Sequence, residues 1–190
     1  PDKITTAQWF EVMETAHAVG FRTTSTIMYG HIDGPRNWAH HLLGLRELQA
    51  RTGGFTEFVP LPFVHMEAPI YLKGQARRGP TFGETLLIHA VGRLALHPGI
   101  PNIQVSWVKA GPEGVKAVLA AGANDLGGTL MNESISRSAG AGYGQEMPPE
   151  KMEAMIRAAG RIPRQRTTTY GAADPERVAA SMGAEPLAEP

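Results

Sequence analysis

The sequence predicts an α/β protein, half of a (βα)8 TIM-type barrel with about four parallel βα units and a C-terminal helix. Three observations predict it. Strand-like and helix-like segments alternate along the chain, which implies parallel pairing with helices covering the sheet. Polar and ionisable residues gather where the strands end: Tyr29-Gly30-His31, Glu57 through His65, Lys109, and Asp125 through Glu133. In βα barrels those ends carry the active-site loops. No Gly-rich phosphate fingerprint follows the first strand, which weighs against a doubly wound dinucleotide-binding sheet.

The first helix opens on a capping box, Thr5-x-x-Gln8, whose two side chains satisfy each other's orphan N–H groups. Trp9, Val12, Met13 and Ala16 recur at helical spacing, and Gly20 ends the helix. The β-branched run from Arg22 to Tyr29 is the first strand. A second helix begins near Asp33 with Pro35 in its first turn, carries Trp38, Leu42, Leu45 and Leu48 on one stripe, and stops at Thr52-Gly53-Gly54. Phe55 to Phe63 reads as a strand broken by Pro60 and Pro62, and a long loop follows from Val64 to Pro80. A second capping box, Thr81-x-x-Glu84, opens a helix expected to turn Leu86, Leu87, Ala90, Val91 and Leu94 inward. In the run "NIQVSWV", Ile103, Val105 and Trp107 alternate with Gln104 and Ser106, as in a third strand. Gly111-Pro112 starts a short helix through Leu119, "ANDLGG" is a fourth strand, and Pro148-Pro149 begins an amphipathic helix with Met152, Met155 and Ile156. Residues 1–171 thus form the half-barrel, and 172–190, rich in Ala, Glu and Pro, reads as a disordered tail.

The bulk numbers narrow the function. A length of 190 residues supports one sizeable core. Eighteen basic against 18 acidic residues leave no electrostatic footprint for nucleic acid or anionic lipid. No apolar run is long enough to span a membrane, and PDKITTAQWF shows no targeting signal, so a cytoplasmic protein is expected. The start on Pro rather than Met suggests a piece of a longer protein. There is no cysteine, hence no disulfide, no thiolate zinc site and no self-supplied iron–sulfur cluster. No metal site is expected.

Several constellations admit two readings each. His31 and His65 close successive strands and either face one pocket or bond to backbone. His40-His41 fits a solvated helix face. Glu57, among Phe55, Val59 and Leu61, needs either a salt-bridge partner or a substrate. Gln104 and Ser106 fit the lumen face of a strand. "GAGYG" (Gly140 to Gly144) has neither dinucleotide spacing nor a P-loop lysine. The stretch from Gly122 to Gly144 is rich in short polar groups directly after a strand, and is either a turn network or a ligand mouth.

Four stretches, "TTSTIMYGHIDGPRNWAHHLLGLRELQ", "TGGFTEFVPLPFVHMEAPIY", "PNIQVSWVKAGPEG" and "GANDLGGTLMNESISRSAG", closely resemble the deazaflavin synthases, in their tyrosine-using 4-hydroxybenzyl transferase half. The resemblance covers Pro1 to Gly171. Related enzymes of the menaquinone futalosine pathway share the layout but read more like "GTVVEE" where this chain has "GGTLMNES". The resemblance implies a radical S-adenosylmethionine (SAM) barrel with a 4Fe–4S cluster. Its SAM-derived radical attacks tyrosine, and the 4-hydroxybenzyl fragment joins 5-amino-6-(D-ribitylamino)uracil. The family's cysteine loop follows the first barrel strand, while the strands here match its last four, so the resemblance implies the C-terminal half of a (βα)8 TIM-type radical SAM barrel. The cluster and an N-terminal half therefore belong to a longer enzyme, without which the chain is expected to be inactive. The other readings are a futalosine-pathway radical SAM enzyme and a half-barrel that only binds.

The resemblance also carries residues. The family's Gly-x-Ile-x-Gly-x-x-Glu motif, which contacts the SAM adenine, is met in part, implying cofactor contact by Ile27, Met28, Gly30, His31 and Asp33. Glu57, His65, Gln104 and Ser106 would line the lumen around tyrosine and the ribityl chain. Asn124, Asp125, Thr129, Asn132 and Glu133 would bond the uracil or the ribityl hydroxyls.

Overall fold

A computed structural model of the chain describes residues 3–128, 135–140, 142 and 146–185. The elements in chain order are α1 (Thr6–Ala18), β1 (Thr23–Tyr29), α2 (Pro35–Thr52), β2 (Phe55–Pro62), α3 (Pro69–Leu72), α4 (Phe82–Leu96), α5 (Trp107–Ala120), α6 (Ile135–Ser138), α7 (Pro149–Ala158) and α8 (Pro175–Met182). Both capping boxes form: Thr5 with Gln8 opens α1, and Thr81 with Glu84 opens α4. Pro35 lies in the first turn of α2, and Gly53, left-handed at φ 62°, closes it with its N–H on the Gln49 carbonyl. Trp38, Leu42, Leu45 and Leu48 are the buried stripe of that helix, as their spacing requires.

β1 and β2 pair in parallel, Thr24 opposite Glu57 and Tyr29 opposite Pro62, with α2 as the crossover. Two further parallel contacts extend the sheet in chain order, Phe58 to Ile103 and Gln104 to Asp125. The architecture is mixed α/β and fits part of an α/β barrel. The expected third and fourth strands are only single bridges, and Trp107 begins α5 rather than ending a strand. The reason lies in β2. Phe58 gives its N–H to Asn102 and accepts from Gln104, so the next donor on that edge would be residue 60, then 62. Both are proline and have none. The third segment stays paired for one position and then splays away.

One face of the sheet meets the helices. Phe55, Phe58 and Ile103 join Leu42, Leu45, Leu48, Leu96 and Ile100 in one core, while Val105, Val115, Val118 and Leu126 join Met147 in another, against which Met152, Met155 and Ile156 of α7 pack. α4 turns a different face inward from the one its leucines suggest. Ile88, His89, Gly92 and Leu96 are buried, while Leu87, Val91 and Leu94 are exposed. Gly92 sets this rotation, because a Cβ there would lie 3.1 Å from the Phe58 ring and hold the helix off the sheet. His41 likewise departs from expectation. It is half-buried against the rings of Trp9 and Phe58, whereas His40 is exposed. Within 172–190, Asp174 caps α8 by accepting from the N–H groups of Glu176 and Arg177, so residues 175–182 are helical instead of frayed. Among the described residues no helix is long and apolar enough to cross a membrane.

Candidate functional site

On β1, Ser25, Ile27 and Tyr29 turn toward the helices, leaving Thr24, Thr26 and Met28 on the opposite, lumen face. Glu57 shares that face, since its carboxylate accepts from Thr24 Oγ1 at 3.0 Å. Near the N-terminal ends of the strands it belongs to a charged cluster built by a distant segment. Arg166 pairs with Asp125 through Nε and approaches Glu57 at 3.6 Å. Tyr170 donates to Glu57 at 2.6 Å, and the Arg166 guanidinium lies 4.0 Å over the Tyr170 ring. Asp125 also accepts from Gly127 N–H at 2.5 Å, which ties the cluster to the turn leading into the 129–134 segment. Glu57 and Asp125 are both buried, so two carboxylates share one guanidinium and one phenol. Burial, and then the hydrogen bond to Glu57, push the Tyr170 phenol well above its ordinary pKa. Residues 161–172 thereby strap the lumen face, closed on themselves by the antiparallel contact of Arg166 with Ala172. Glu57 takes the salt-bridge reading.

At the opposite ends of the strands, Gly30 adopts φ 92° beneath Pro80, whose Cδ would lie 2.3 Å from any Cβ. Asp33 fastens this turn. It accepts from the N–H groups of Gly30 (2.8 Å) and His31 (2.9 Å), from His31 Nδ1 (2.7 Å) and from Trp38 Nε1. Burial opposes its charge, but the bonds from Trp38, Gly30 and His31 win and bring its pKa from 3.8 down to about 2. Ile32, at the tip, is exposed. Close by, a cavity of about 280 Å³ opens between the splayed ends of β2 and the 103–106 segment, with Ser106, Lys109 and the buried His89 in its lining.

The remaining expected site residues divide. Ser106 stands at the N-cap position of α5 and reaches the cavity. Gln104 lies under Gly127, where a Cβ would come within 2.5 Å of its amide nitrogen. Asn124 is not at the mouth, for its side-chain oxygen is spent on Arg93 and on the Ile103 N–H, both at 2.8 Å. Ile27 packs among the helix-side residues, so of that pair Met28 alone faces the lumen. His31 and His65 do not converge on each other's partners: the first sits by Phe63 and Asp33, the second edge-on to Tyr71 at 4.6 Å. Thr129, Asn132 and Glu133 lie outside the described residues. Sequence reasoning missed Arg166, Tyr170 and His89. A buried Glu57 demanding a partner is the signal that could have led to Arg166, whereas nothing local marks His89.

These features define part of a parallel α/β barrel, packed on its helix side and polar on its lumen side, with its strand C-terminal ends opened into a cavity. The chain belongs to the family described as the CofH/MqnC C-terminal region, which matches residues 52–178. It is 56% identical over 168 residues to the FO synthase of Mycobacterium leprae, covering 88% of this chain and 20% of that protein. It is 54% identical over 183 residues to the FO synthase of Streptomyces coelicolor, covering 96% and 21%. A 5-amino-6-(D-ribitylamino)uracil–L-tyrosine 4-hydroxyphenyl transferase of Methanopyrus kandleri is 55% identical over 170 residues, 90% of this chain and 46% of that protein. The chain thus spans a fifth to under half the length of these relatives.

Proposed function

We propose that this chain is the C-terminal part of a radical SAM transferase that moves the 4-hydroxybenzyl group of tyrosine onto 5-amino-6-(D-ribitylamino)uracil, toward a deazaflavin cofactor. The observation that carries this reading is identity above 50% to FO synthases and to a named tyrosine transferase, sustained over most of the chain. The enzyme acts in the cytoplasm, and an N-terminal half of the same protein completes the barrel.

SAM and its iron–sulfur cluster, when bound, supply the one-electron chemistry. This chain has no cysteine, so the cluster's thiolates come from elsewhere in the protein. For SAM the chain offers apolar contact to an adenine ring from Met28, which is 55% exposed on the lumen face, and from Ile32 at the β1 end. Gly30 and Asp33 shape that turn; their polar groups are already engaged with each other. Gln104, Ser106 and His65 bind and orient the organic substrates, and Thr129, Asn132 and Glu133 bond the uracil or ribityl hydroxyls. Glu57 and Asp125 hold the strap.

The test is an anaerobic assay of the full-length protein with SAM, reductant, tyrosine and 5-amino-6-(D-ribitylamino)uracil, reading adduct and 5′-deoxyadenosine. Asn132→Ala or Glu133→Ala should abolish the adduct while SAM cleavage persists. Turnover of a futalosine-type substrate but not tyrosine would overturn the reading, and unchanged adduct in both variants would overturn those contacts.

A further inference from the structure

The outward side of α4 carries no polar side chain. Three ionisable residues lie on this helix, and all are turned elsewhere. Glu84 pairs with Arg77 at 2.8 Å, His89 is 1% exposed, and Arg93 donates to the carbonyls of Gly122 and Pro101 and to Asn124. What faces water is Leu87, Val91 and Leu94, at 47%, 40% and 82% exposure, on one stripe at helical spacing. Gly83, exposed, and Ala90, half-buried, fill the rest of that face without adding height to it. A surface helix ordinarily turns its charged and polar groups outward, and a contiguous apolar outer stripe marks a surface that something covers.

Completing the barrel leaves this stripe bare. The open edge of the sheet is at β1, where the main chains of Thr24, Thr26 and Met28, alternating with the residues that bond β2, point away from it. α4 sits in the middle of the helix layer, against α2, α5 and β2, with Gly92 close to Phe58 and Ile103. Strands added at the β1 edge meet α1 and β1 and not the outer side of α4.

The stripe is also too small for free association. It offers on the order of 300 Å², the low end of patches that mark functional surfaces, against ~800 Å² per partner in stable complexes. A body on the same polypeptide needs less, because a short tether holds it at an effective concentration of about millimolar. The FO synthase of Mycobacterium leprae has chain to spare for one. A match of 168 residues is 20% of that protein, whereas 170 residues are 46% of the Methanopyrus transferase. The longer protein thus exceeds the shorter by more than the shorter's whole length.

We propose that Leu87, Val91 and Leu94 dock a further module of the same polypeptide, the surplus that separates proteins of FO synthase length from those of transferase length. The occupant is an apolar surface of that module, not a second copy of the chain. It sits on the outer wall of the barrel, clear of the strand C-terminal ends.

The test uses the full-length protein with Leu94 replaced by the photo-crosslinker p-benzoylphenylalanine. Irradiation should join position 94, within a single chain, to a peptide of the surplus module, as read by mass spectrometry. A link between two chains, a link to the segment that pairs with β1, or no link overturns the proposal, as does a full-length protein without a surplus module. A second variant reads the same contact without the probe. Leu87→Glu combined with Leu94→Glu places charge on side chains that already meet water in this chain, so the barrel's own melting should not change. In the full-length protein it should speed protease cleavage between the modules about tenfold, whereas His40→Glu, on the exposed side of α2, should not. Cleavage at the wild-type rate in the double variant overturns the docking. Neither readout uses turnover, so a protein that proves not to act on tyrosine would lose the proposed function alone.

Discussion

Replacing Arg166 by Ala should release residues 161–172 from the lumen face, and the size of the effect follows from what stays behind. Glu57 and Asp125 are 9% and 8% exposed, and among the described residues Arg166 is the cation ion-paired with both. Removing one partner of a buried ion pair costs about 3–5 kcal/mol, chiefly because the remaining charge is left desolvated and uncompensated. Arg166 itself is a quarter exposed and Tyr170 still donates to Glu57, so water and the phenol relieve part of this; about 3 kcal/mol is expected. Arg166→Lys should recover less than half, because a point charge cannot serve two carboxylates as a planar guanidinium does. Asp125→Asn combined with Arg166→Met should cost less than the sum of the single changes, since it removes charge and counter-charge together. Urea unfolding gives the energies, and amide exchange over 162–172 shows whether the strap detaches. If Arg166→Ala unfolds within about 0.5 kcal/mol of the wild type with the strap still protected, the cluster does not anchor it.

Two further outcomes test the β1 end. Asp33 has its pKa depressed to about 2, so its contribution is present above its ordinary value of 3.8 and is lost as pH falls toward 2. Asp33→Asn should therefore cost about 1–2 kcal/mol near neutrality, with the gap to wild type closing between pH 4 and 2; a pH-independent gap in acid unfolding would refute the ionic account. Gly30→Ala meets both a positive φ and Pro80, whereas Gly20→Ala meets φ 93° with nothing within 4 Å. Thermal melts should show about 1 kcal/mol lost at Gly20 and clearly more at Gly30, and equal losses would mean that Pro80 does not constrain the turn.

What the sequence made legible was what local chemistry decides. The capping boxes at Thr5 and Thr81, the Pro35 start and Gly53 stop of α2, and the start of α7 all depend on groups within four residues of one another. The inward face of α4 did not follow from its leucines, because Gly92 against Phe58 is a fact about two elements in contact. Glu57 was recognised as a carboxylate needing a partner, but Tyr170 lies 113 residues further on, beyond any spacing argument. Asn124 and Asp125 are adjacent in the mouth-like stretch yet serve different ends, one bracing Arg93 and Ile103, the other Arg166. Their chemistry was visible in the sequence; their direction was set by strand parity.

Parity also explains why one strand holds a tight ladder on one edge and a cavity on the other. In a parallel sheet successive N–H groups of β2 alternate between its two neighbours. Phe63 donates to Tyr29 on the β1 side at 2.9 Å, Phe58 donates to Asn102 on the other at 2.9 Å, and Pro60 and Pro62 share the side of Phe58. Two prolines two residues apart thus spare the β1 ladder and delete only donors facing the 103–106 segment. Pro60→Val restores one such donor opposite the Gln104 carbonyl. The regained hydrogen bond is worth about 0.5–1.5 kcal/mol, and losing proline's restriction of the unfolded chain costs about 0.4–1, so net stability should barely move. The cavity should change a great deal: the ladder would zip one step further, the new amide at position 60 would exchange slowly, and the space between β2 and the 103–106 segment would narrow. A variant whose new amide exchanges freely would show that the prolines do not hold the sheet open.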